Sequence, residues 1–251
     1  MITCRALPAD SRKRRCEAIA AAFFQGELGG GGACDSRIRW SSFPGELEMA
    51  PCPSFAVLQA NETIGADYRI RVCHGRSGIA VMAIHGGGIE PGTTEIAEAV
   101  AGEVHTFYSF SGLKPSGNAC LHISSRKFDE PVGLDIARCA RTVITIHGCR
   151  DTKVITYLGG RHHRLKLQIR QALTAAGFPA VDGLRFPGTN PKNICNKNRS
   201  GMGVQLEISI GMRKRLFEDI TRLHRKRITP CFIDYVHALQ CGIEALQNNN
   251  Q

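Results

Sequence analysis

Two histidines in the sequence stand where strands of a parallel sheet are predicted to end. His85 follows the apolar run at residues 79–84, His147 follows the β-branched run at 141–146, and a glycine comes after each histidine. Ligands of open α/β sheets bind beyond the carboxyl ends of the strands, so both imidazoles are expected at one edge. Glu90 lies five residues after His85, across three glycines that allow the loop to fold back. Two imidazoles and one carboxylate with an open fourth position are the layout of a hydrolytic zinc site.

Other interpretations of these residues are also consistent with the pattern. Either histidine alone could be a polar residue that closes a strand and begins a loop. The three glycines could form a flexible turn, or an anion-binding turn before the helix that follows. The matched strand ends, together with a carboxylate within loop distance, favour the metal site.

Glu207 is the second acidic candidate, and it lies in an alternating segment at residues 203–210. Alternation places Val204, Leu206 and Ile208 on one face of a strand and Glu207 on the other. Glu207 could face solvent on an edge strand. Alternatively, it points into the cleft and acts as general base and acid on a metal-bound water.

The elements that must position these residues alternate between strands and helices. Strands are predicted at 68–72, 79–84, 103–110, 120–125, 141–148 and 203–210. Helices are predicted at 93–101, 164–178, 213–227 and 231–247, the first with a threonine as its N-cap. This alternation is typical of a layered α/β domain with a largely parallel sheet.

Composition and charge add limits on the domain organisation. The chain has 251 residues and a net charge of +10, and residues 1–50 carry seven basic and six acidic side chains. We interpret residues 1–50 as a disordered extension with one short helix near 18–24, and residues 51–251 as a single hydrolase domain. Met49 is an alternative start.

The cysteines and the hydropathy pattern bear on the compartment and the partners. The chain has 11 cysteines without C-x-x-C spacing, which indicates reduced, mostly buried thiols and a cytoplasmic protein. No apolar run approaches the roughly 20 residues of a membrane-spanning helix, so no membrane partner is predicted. The positive charge outside residues 1–50 suits a polyanionic partner, either a nucleic acid or an acidic polymer.

Several segments in this order resemble the poly-γ-glutamate hydrolase family of bacteriophages and bacteria. The resemblance runs from about residue 55 to residue 247, and the segments that carry it read YRIRV, AIHGGGIEPGTTEIAEAVAG, YSFSGLKPSGN, LHISSRKFDEP, ITIHG and GVQLEIS. The resemblance implies a zinc carboxypeptidase-like fold, in which helices flank a mixed, largely parallel sheet. It also implies one Zn²⁺ per chain, held by His85, Glu90 and His147, with Glu207 as the catalytic carboxylate.

The resemblance further implies that a metal-activated water attacks γ-glutamyl amide bonds of poly-γ-glutamate. A polymer with one free carboxylate per unit calls for cationic side chains along the cleft. The candidates are Arg126, Lys127, Lys197 and Arg199, each of which could instead be an ordinary surface charge. Asn118, His122 and Asp129 are expected to shape the pocket or to serve in turns and hydrogen bonds.

Two alternative functions remain open from the sequence. Lys127 and Lys197 depart from residues found in some family members, which leaves room for a zinc amidase or deacylase that acts on another acyl-amino acid. The basic region at 213–227 also admits a nucleic-acid-binding protein of the phage-replication type, although no base-reading motif accompanies it.

Overall fold

The computed structural model describes residues 52–221, 225 and 227–248 of the chain. The predicted disordered extension at 1–50, its short helix and the alternative start at Met49 lie outside the described residues. Within the described part, no helix combines the length and the apolar character needed to cross a bilayer.

Seven strands form one sheet in the order β1-β3-β2-β4-β7-β5-β6. The strands are β1 (Tyr68–Cys73), β2 (Ile79–Gly87), β3 (Thr106–Gly112), β4 (Thr142–Cys149), β5 (Thr156–Gly159), β6 (Ala180–Asp182) and β7 (Val204–Ser209). The central strands β3, β2, β4 and β7 run parallel, whereas β1 pairs antiparallel with β3 and β5 pairs antiparallel with β7.

Six α-helices accompany the sheet in the described part of the chain. They are α1 (Phe55–Asn61), α2 (Thr93–Ala101), α3 (Pro131–Cys139), α4 (His163–Ala175), α5 (Ile210–Leu216) and α6 (Pro230–Asn248). Helix α3 packs on β2 and β3, and side chains of α1 and α3 share one core cluster with Met82 and Ile84 of β2. Helix α2 packs on β2, β3 and β4 and also on α6, which in turn packs on α4 and α5. The predicted mixed, largely parallel sheet flanked by helices is therefore confirmed.

The burial of β2 explains its composition. All nine residues of β2 are buried, because helices cover both faces of the central sheet. A strand buried on both faces reads as a continuous apolar run rather than an alternating one. The parallel pairing of β2 with β4 brings the ends of these two strands, and hence His85 and His147, to the same edge.

Two predicted elements are wrong. The predicted strand at 120–125 is replaced by a 3₁₀ turn at Asn118–Leu121, preceded by Gly117 in a left-handed conformation with φ of 73°. The predicted helix at 213–227 overlaps the observed helix α5 only at residues 213–216. The helix ends there because Phe217 takes an extended conformation and forms a β-bridge with Ile228. The backbone of Phe217 therefore leaves the helix ten residues before the predicted end.

Candidate metal centre and pocket

The side chains of His85, Glu90 and His147 converge at the carboxyl edge of the sheet. The loop after β2 folds back so that the backbone N–H of Glu90 donates to the His85 carbonyl at 2.9 Å. His85 Nδ1 then lies 3.0 Å from Glu90 Oε1 and 3.1 Å from His147 Nδ1. His147 Nδ1 lies 3.5 Å from Glu90 Oε2, which also accepts the backbone N–H of Gly148 at 2.9 Å.

These donor atoms fit one divalent metal ion. Tetrahedral zinc with ligands at about 2.0–2.1 Å holds neighbouring donor atoms about 3.3 Å apart, close to the observed 3.0–3.5 Å. His85 Nε2 lies 2.7 Å from the carbonyl oxygen of Ile123 and therefore carries the proton. The lone pair of His85 Nδ1 consequently faces a carboxylate oxygen, and two facing acceptors call for a cation between them.

His122 is a further candidate ligand beside this group. Its ring stacks on that of His85 with centroids 3.9 Å apart, and its Nε2 lies 3.8 Å from Glu90 Oε1. His85, Glu90 and His122 form a group of side chains whose ligand atoms all lie within 4.8 Å. Burial, with the nearby His85, lowers the pKa of His122 to about 4, so its imidazole is neutral and has a free lone pair at neutral pH.

The charges within the group favour an ionised Glu90. Burial opposes ionisation, but the neighbouring imidazoles of His85 and His147 lower the pKa of Glu90. Burial would lower the pKa of His147, yet its hydrogen bond with Glu90 and the charge of Glu207 raise it. A carboxylate that stays ionised between two imidazoles is suited to bind a cation.

Glu207 lies one strand away from His147 and faces the pocket. β7 is a central strand, and the two residues are direct partners in the β4–β7 register. Glu207 is only 8% exposed and lines the pocket, so the interpretation of a solvent-facing residue on an edge strand is wrong. Burial, with the negative charge of Glu90, raises its pKa, although His147 opposes this shift.

A pocket of about 1520 Å³ opens over these residues. Of the predicted substrate-binding residues, Arg126 lines it, whereas Lys127, Lys197 and Arg199 are not among the described residues of its lining. The Lys197 ammonium instead lies 3.4 Å from the Phe128 carbonyl, and Lys127 and Arg199 are exposed elsewhere. Thus only one of the four candidates lines the pocket that contains the candidate metal ligands.

Two arginines that the sequence analysis missed also line the pocket: Arg150 and Arg185. Arg150 follows His147 by three residues, so its position in a strand-end loop could have identified it. No sequence signal marks Arg185, because the loop that carries it reaches the pocket only through the pairing of β5 with β6.

Asn118 and Asp129, the remaining predicted pocket residues, form hydrogen bonds with the backbone. The Asn118 side chain accepts the backbone N–H of Lys114 at 3.1 Å and donates to its carbonyl at 2.8 Å. Asp129 accepts the backbone N–H of Phe55 at 2.6 Å at the start of α1. Both residues therefore stabilise turns and helix ends, which matches the alternative interpretation of their roles.

Part of the basic region at 213–227 faces inward. Arg213 is buried and donates to three backbone carbonyls, and Arg225 forms an ion pair with the buried Glu95 at 2.8 Å. Arg222 and Lys226 lie outside the described residues. The two inward-facing arginines are occupied by contacts within the fold, so they are not available to bind phosphates.

The family model described as poly-gamma-glutamate hydrolase matches residues 53–238. The chain belongs to this family. Its membership confirms the family predicted from the sequence, and with it the assignment to the hydrolases.

Individual relatives agree with this assignment. The chain is 37% identical over 190 residues to the SPbeta prophage-derived UPF0714 protein YoqZ of Bacillus subtilis (strain 168), which covers 74% of the chain and 69% of the relative. A bacteriophage poly-gamma-glutamate hydrolase structure matches with a TM-score of 0.76 at 35% identity, over 79% of this chain and 98% of the other. The zinc-free apo structure of YndL matches with a TM-score of 0.73 at 34% identity, over 76% and 96%. A metallo-carboxypeptidase from Burkholderia cenocepacia is a distant neighbour, with a TM-score of 0.45 at 12% identity over 72% and 61%.

Proposed function

We propose that the protein hydrolyses γ-glutamyl amide bonds of poly-γ-glutamate, with one zinc ion per chain as its cofactor. The observation that carries the proposal is the convergence of His85, Glu90 and His147, with donor atoms 3.0–3.5 Å apart. The buried Glu207 lies beside this group in the same pocket. We assign the three converging residues as zinc ligands and Glu207 as the catalytic carboxylate.

The chemistry divides between the cofactor and the side chains. A zinc ion held there would supply a Lewis acid and bring the pKa of a bound water near 7. Glu207, whose pKa is raised by burial, is suited to take a proton from the attacking water and to return it to the departing amine nitrogen. Gln205 donates to Glu207 Oε1 at 2.8 Å, which leaves the other carboxylate oxygen for this proton transfer.

The pocket also suits an anionic substrate. Arg126 is placed in its lining near Ser125, whose hydroxyl lies 3.5 Å from His147 Nε2. A guanidinium can bind the free α-carboxylate of a γ-linked unit through two parallel hydrogen bonds. We assign this role to Arg126, because Lys127, Lys197 and Arg199 lie outside the pocket lining.

The first test is hydrolysis itself. Purified protein loaded with zinc is incubated with poly-γ-glutamate, and the products are sized by chromatography. We expect shortening of the polymer by the wild type and none by Glu207→Gln, which should still bind about one zinc per chain. Turnover by Glu207→Gln would contradict Glu207 as the catalytic carboxylate. Wild-type protein that binds zinc but leaves the polymer intact would contradict poly-γ-glutamate as the substrate.

The second test separates the two possible imidazole ligands. His147→Ala and His122→Ala are each loaded with zinc, and the bound metal is measured after gel filtration. Loss of a ligand should release the metal from His147→Ala, whereas His122→Ala should retain it. The reverse result would assign His122, rather than His147, as the ligand beside His85 and Glu90.

A further inference from the structure

The pocket extends well beyond the metal centre, across neighbouring strands of the sheet. His147 of β4 is opposite Glu207 of β7, Glu207 is opposite Tyr157 of β5, and Tyr157 is opposite Val181 of β6. All four residues line the pocket. Because adjacent strands are about 4.8 Å apart, Val181 lies roughly 10 Å from Glu207 along this direction. The pocket is therefore longer than the space that one amide bond needs.

Two cationic side chains line the pocket from loops at its sides. Arg150 lies in the loop after β4, and Arg185 lies in the loop after β6. Both residues are exposed, and in the described part of the chain neither guanidinium forms an ion pair or a hydrogen bond with a carboxylate. The Arg185 guanidinium lies 5.7 Å from the ring centroid of Phe186, which restricts its position.

The acidic side chains nearby are already engaged within the fold. Asp151 accepts hydrogen bonds from the Tyr157 hydroxyl and from the backbone N–H of Lys153. Asp182 forms an ion pair with Arg170 at 3.2 Å. These contacts hold the two carboxylates, so the two pocket arginines keep donors free for an incoming anion.

The spacing suits a chain of γ-linked glutamates. Each unit adds five backbone bonds, which span about 6 Å when extended, and each unit carries one free α-carboxylate. A distance of roughly 10 Å from Glu207 is therefore reached one to two units away from the cleaved bond.

We propose that Arg150 and Arg185 form a second subsite, which binds the α-carboxylate of a γ-glutamyl unit beyond the two units that flank the cleaved amide. This inference rests on the proposed function, because it assumes that the cleaved bond lies at the metal centre. A substrate of only two units cannot reach the subsite, whereas a longer chain fills it. The enzyme should therefore cleave long chains more efficiently than short ones.

The experiment compares γ-glutamyl oligomers of two and six units with three variants: Arg150→Met, Arg185→Met and the double variant. Arg69→Met, an exposed arginine on β1 at the opposite edge of the sheet, is the control with the same change of charge. We expect each single variant to lower kcat/KM for the six-unit chain about tenfold, since one charge-assisted hydrogen bond has roughly this effect. The two-unit substrate should change less than about twofold, and Arg69→Met should match the wild type on both.

Two results would overturn the subsite. An unchanged preference for the six-unit chain in the double variant would show that neither arginine contacts the substrate. An equal loss of kcat/KM on both substrates would show that the arginine substitutions act at the cleaved bond or on folding.

A binding measurement separates failure of this inference from failure of the proposed function. Glu207→Gln protein loaded with zinc is titrated with the six-unit chain in a calorimeter, with and without the two arginine substitutions. If the wild type cleaves no γ-glutamyl chain but binding still weakens about tenfold on loss of each arginine, the subsite stands and the catalytic proposal fails. Binding that is indifferent to both arginines contradicts the subsite, whatever the activity.

Discussion

The Glu207 carboxylate is held by a series of buried, hydrogen-bonded side-chain amides. This series determines which of the two carboxylate oxygens is free. The Asn193 side-chain oxygen accepts the backbone N–H of Cys195 at 3.1 Å, so the amide nitrogen of Asn193 faces the Gln205 side-chain oxygen at 2.7 Å. The Gln205 amide nitrogen must then face Glu207 Oε1, at 2.8 Å. Because a backbone N–H can only donate, the orientation of every amide in the series follows from that first contact.

Loss of this series of hydrogen-bonded amides should affect turnover more than substrate binding. Gln205→Met keeps the volume of the side chain but removes the donor to Glu207, so we expect kcat to fall about tenfold with KM and zinc content unchanged. Steady-state kinetics and metal analysis check this, with the exposed Gln171→Met on α4 as the control. A fall in zinc content, or a rise in KM alone, would contradict a role in positioning Glu207.

His105 should make stability depend on pH away from the metal centre. It is buried with its Nδ1 2.7 Å from the Ser77 hydroxyl, and burial lowers its pKa below the ordinary value. As pH falls below about 6.5, the unfolded chain binds a proton before the folded protein does, so the free energy of unfolding falls. The free energy of unfolding is therefore not reduced by His105 above that pH, and it is reduced below it.

The measurement is the urea midpoint at about pH 7.5 and about pH 5, in the wild type and in His105→Gln. We expect the urea midpoint to decrease less between about pH 7.5 and about pH 5 in the variant than in the wild type, because glutamine does not titrate. Equal decreases in the two proteins would show that His105 does not contribute to acid sensitivity.

At the scale of elements, the three glycines at the end of β2 and directly after it allow the close packing that turns Glu90 back toward His85. A Cβ at Gly86 would lie 2.1 Å from the Thr94 hydroxyl, and one at Gly88 would lie 2.5 Å from the Asn118 side chain. Gly87 has φ of 65°, and a Cβ there would lie 2.4 Å from the Gly112 carbonyl oxygen. The glycines therefore serve a packed turn rather than a flexible one.

Gly87→Ala should destabilise the protein for two separate reasons. The left-handed backbone disfavours a Cβ, and the neighbouring strand leaves no space for it, so we expect the free energy of unfolding to fall by about 3 kcal/mol or more. Gly117→Ala is the matched control, since Gly117 has a left-handed backbone with φ of 73° but nothing within 4 Å of a Cβ. Urea denaturation should give a loss of about 1 kcal/mol for the control. Equal losses in the two variants would remove the steric part of the explanation.

At the scale of the whole molecule, one buried arginine connects the segments that carry the site. Arg213 of α5 donates to the carbonyls of Pro91 at 2.7 Å, Ile208 at 3.1 Å and Cys149 at 3.0 Å. These carbonyls follow Glu90 and Glu207 by one residue and His147 by two. A single guanidinium thus fixes the spacing between two proposed zinc ligands and the proposed catalytic carboxylate.

Arg213→Met should weaken both folding and metal binding. It leaves three buried carbonyls without a donor, so we expect the free energy of unfolding to fall by about 3 kcal/mol or more and zinc affinity to fall at least tenfold. Denaturation and competition with a zinc chelator measure the two effects, with the exposed Lys214→Met on the same helix as the control. Unchanged zinc affinity in folded Arg213→Met would show that the loops keep their spacing without it.

Much of the fold and the core of the site could be predicted from local patterns. The runs that form β2 and β4 are confirmed as strands, because burial on both faces selects continuous apolar residues. The alternating segment that forms β7 is confirmed as a strand as well. Two of these strands end in a histidine followed by a glycine, and the chain order of His85 and Glu90 places them on one short loop. Helices α1 and α3 and strands β5 and β6 were missed, and these strands, with four and three residues, are too short to carry a periodic signal.

The sequence by itself therefore determined the α/β class and the family and indicated candidate metal ligands, because periodicity and residue type are local properties. Only the tertiary structure decided that Glu207 is central, that His122 stacks on His85, and that Arg213 is buried rather than part of a basic surface. It also placed Arg150 and Arg185, rather than Lys127, Lys197 and Arg199, in the pocket lining. The strand order decides which loops face the pocket, and that order comes from pairing between segments far apart in the chain.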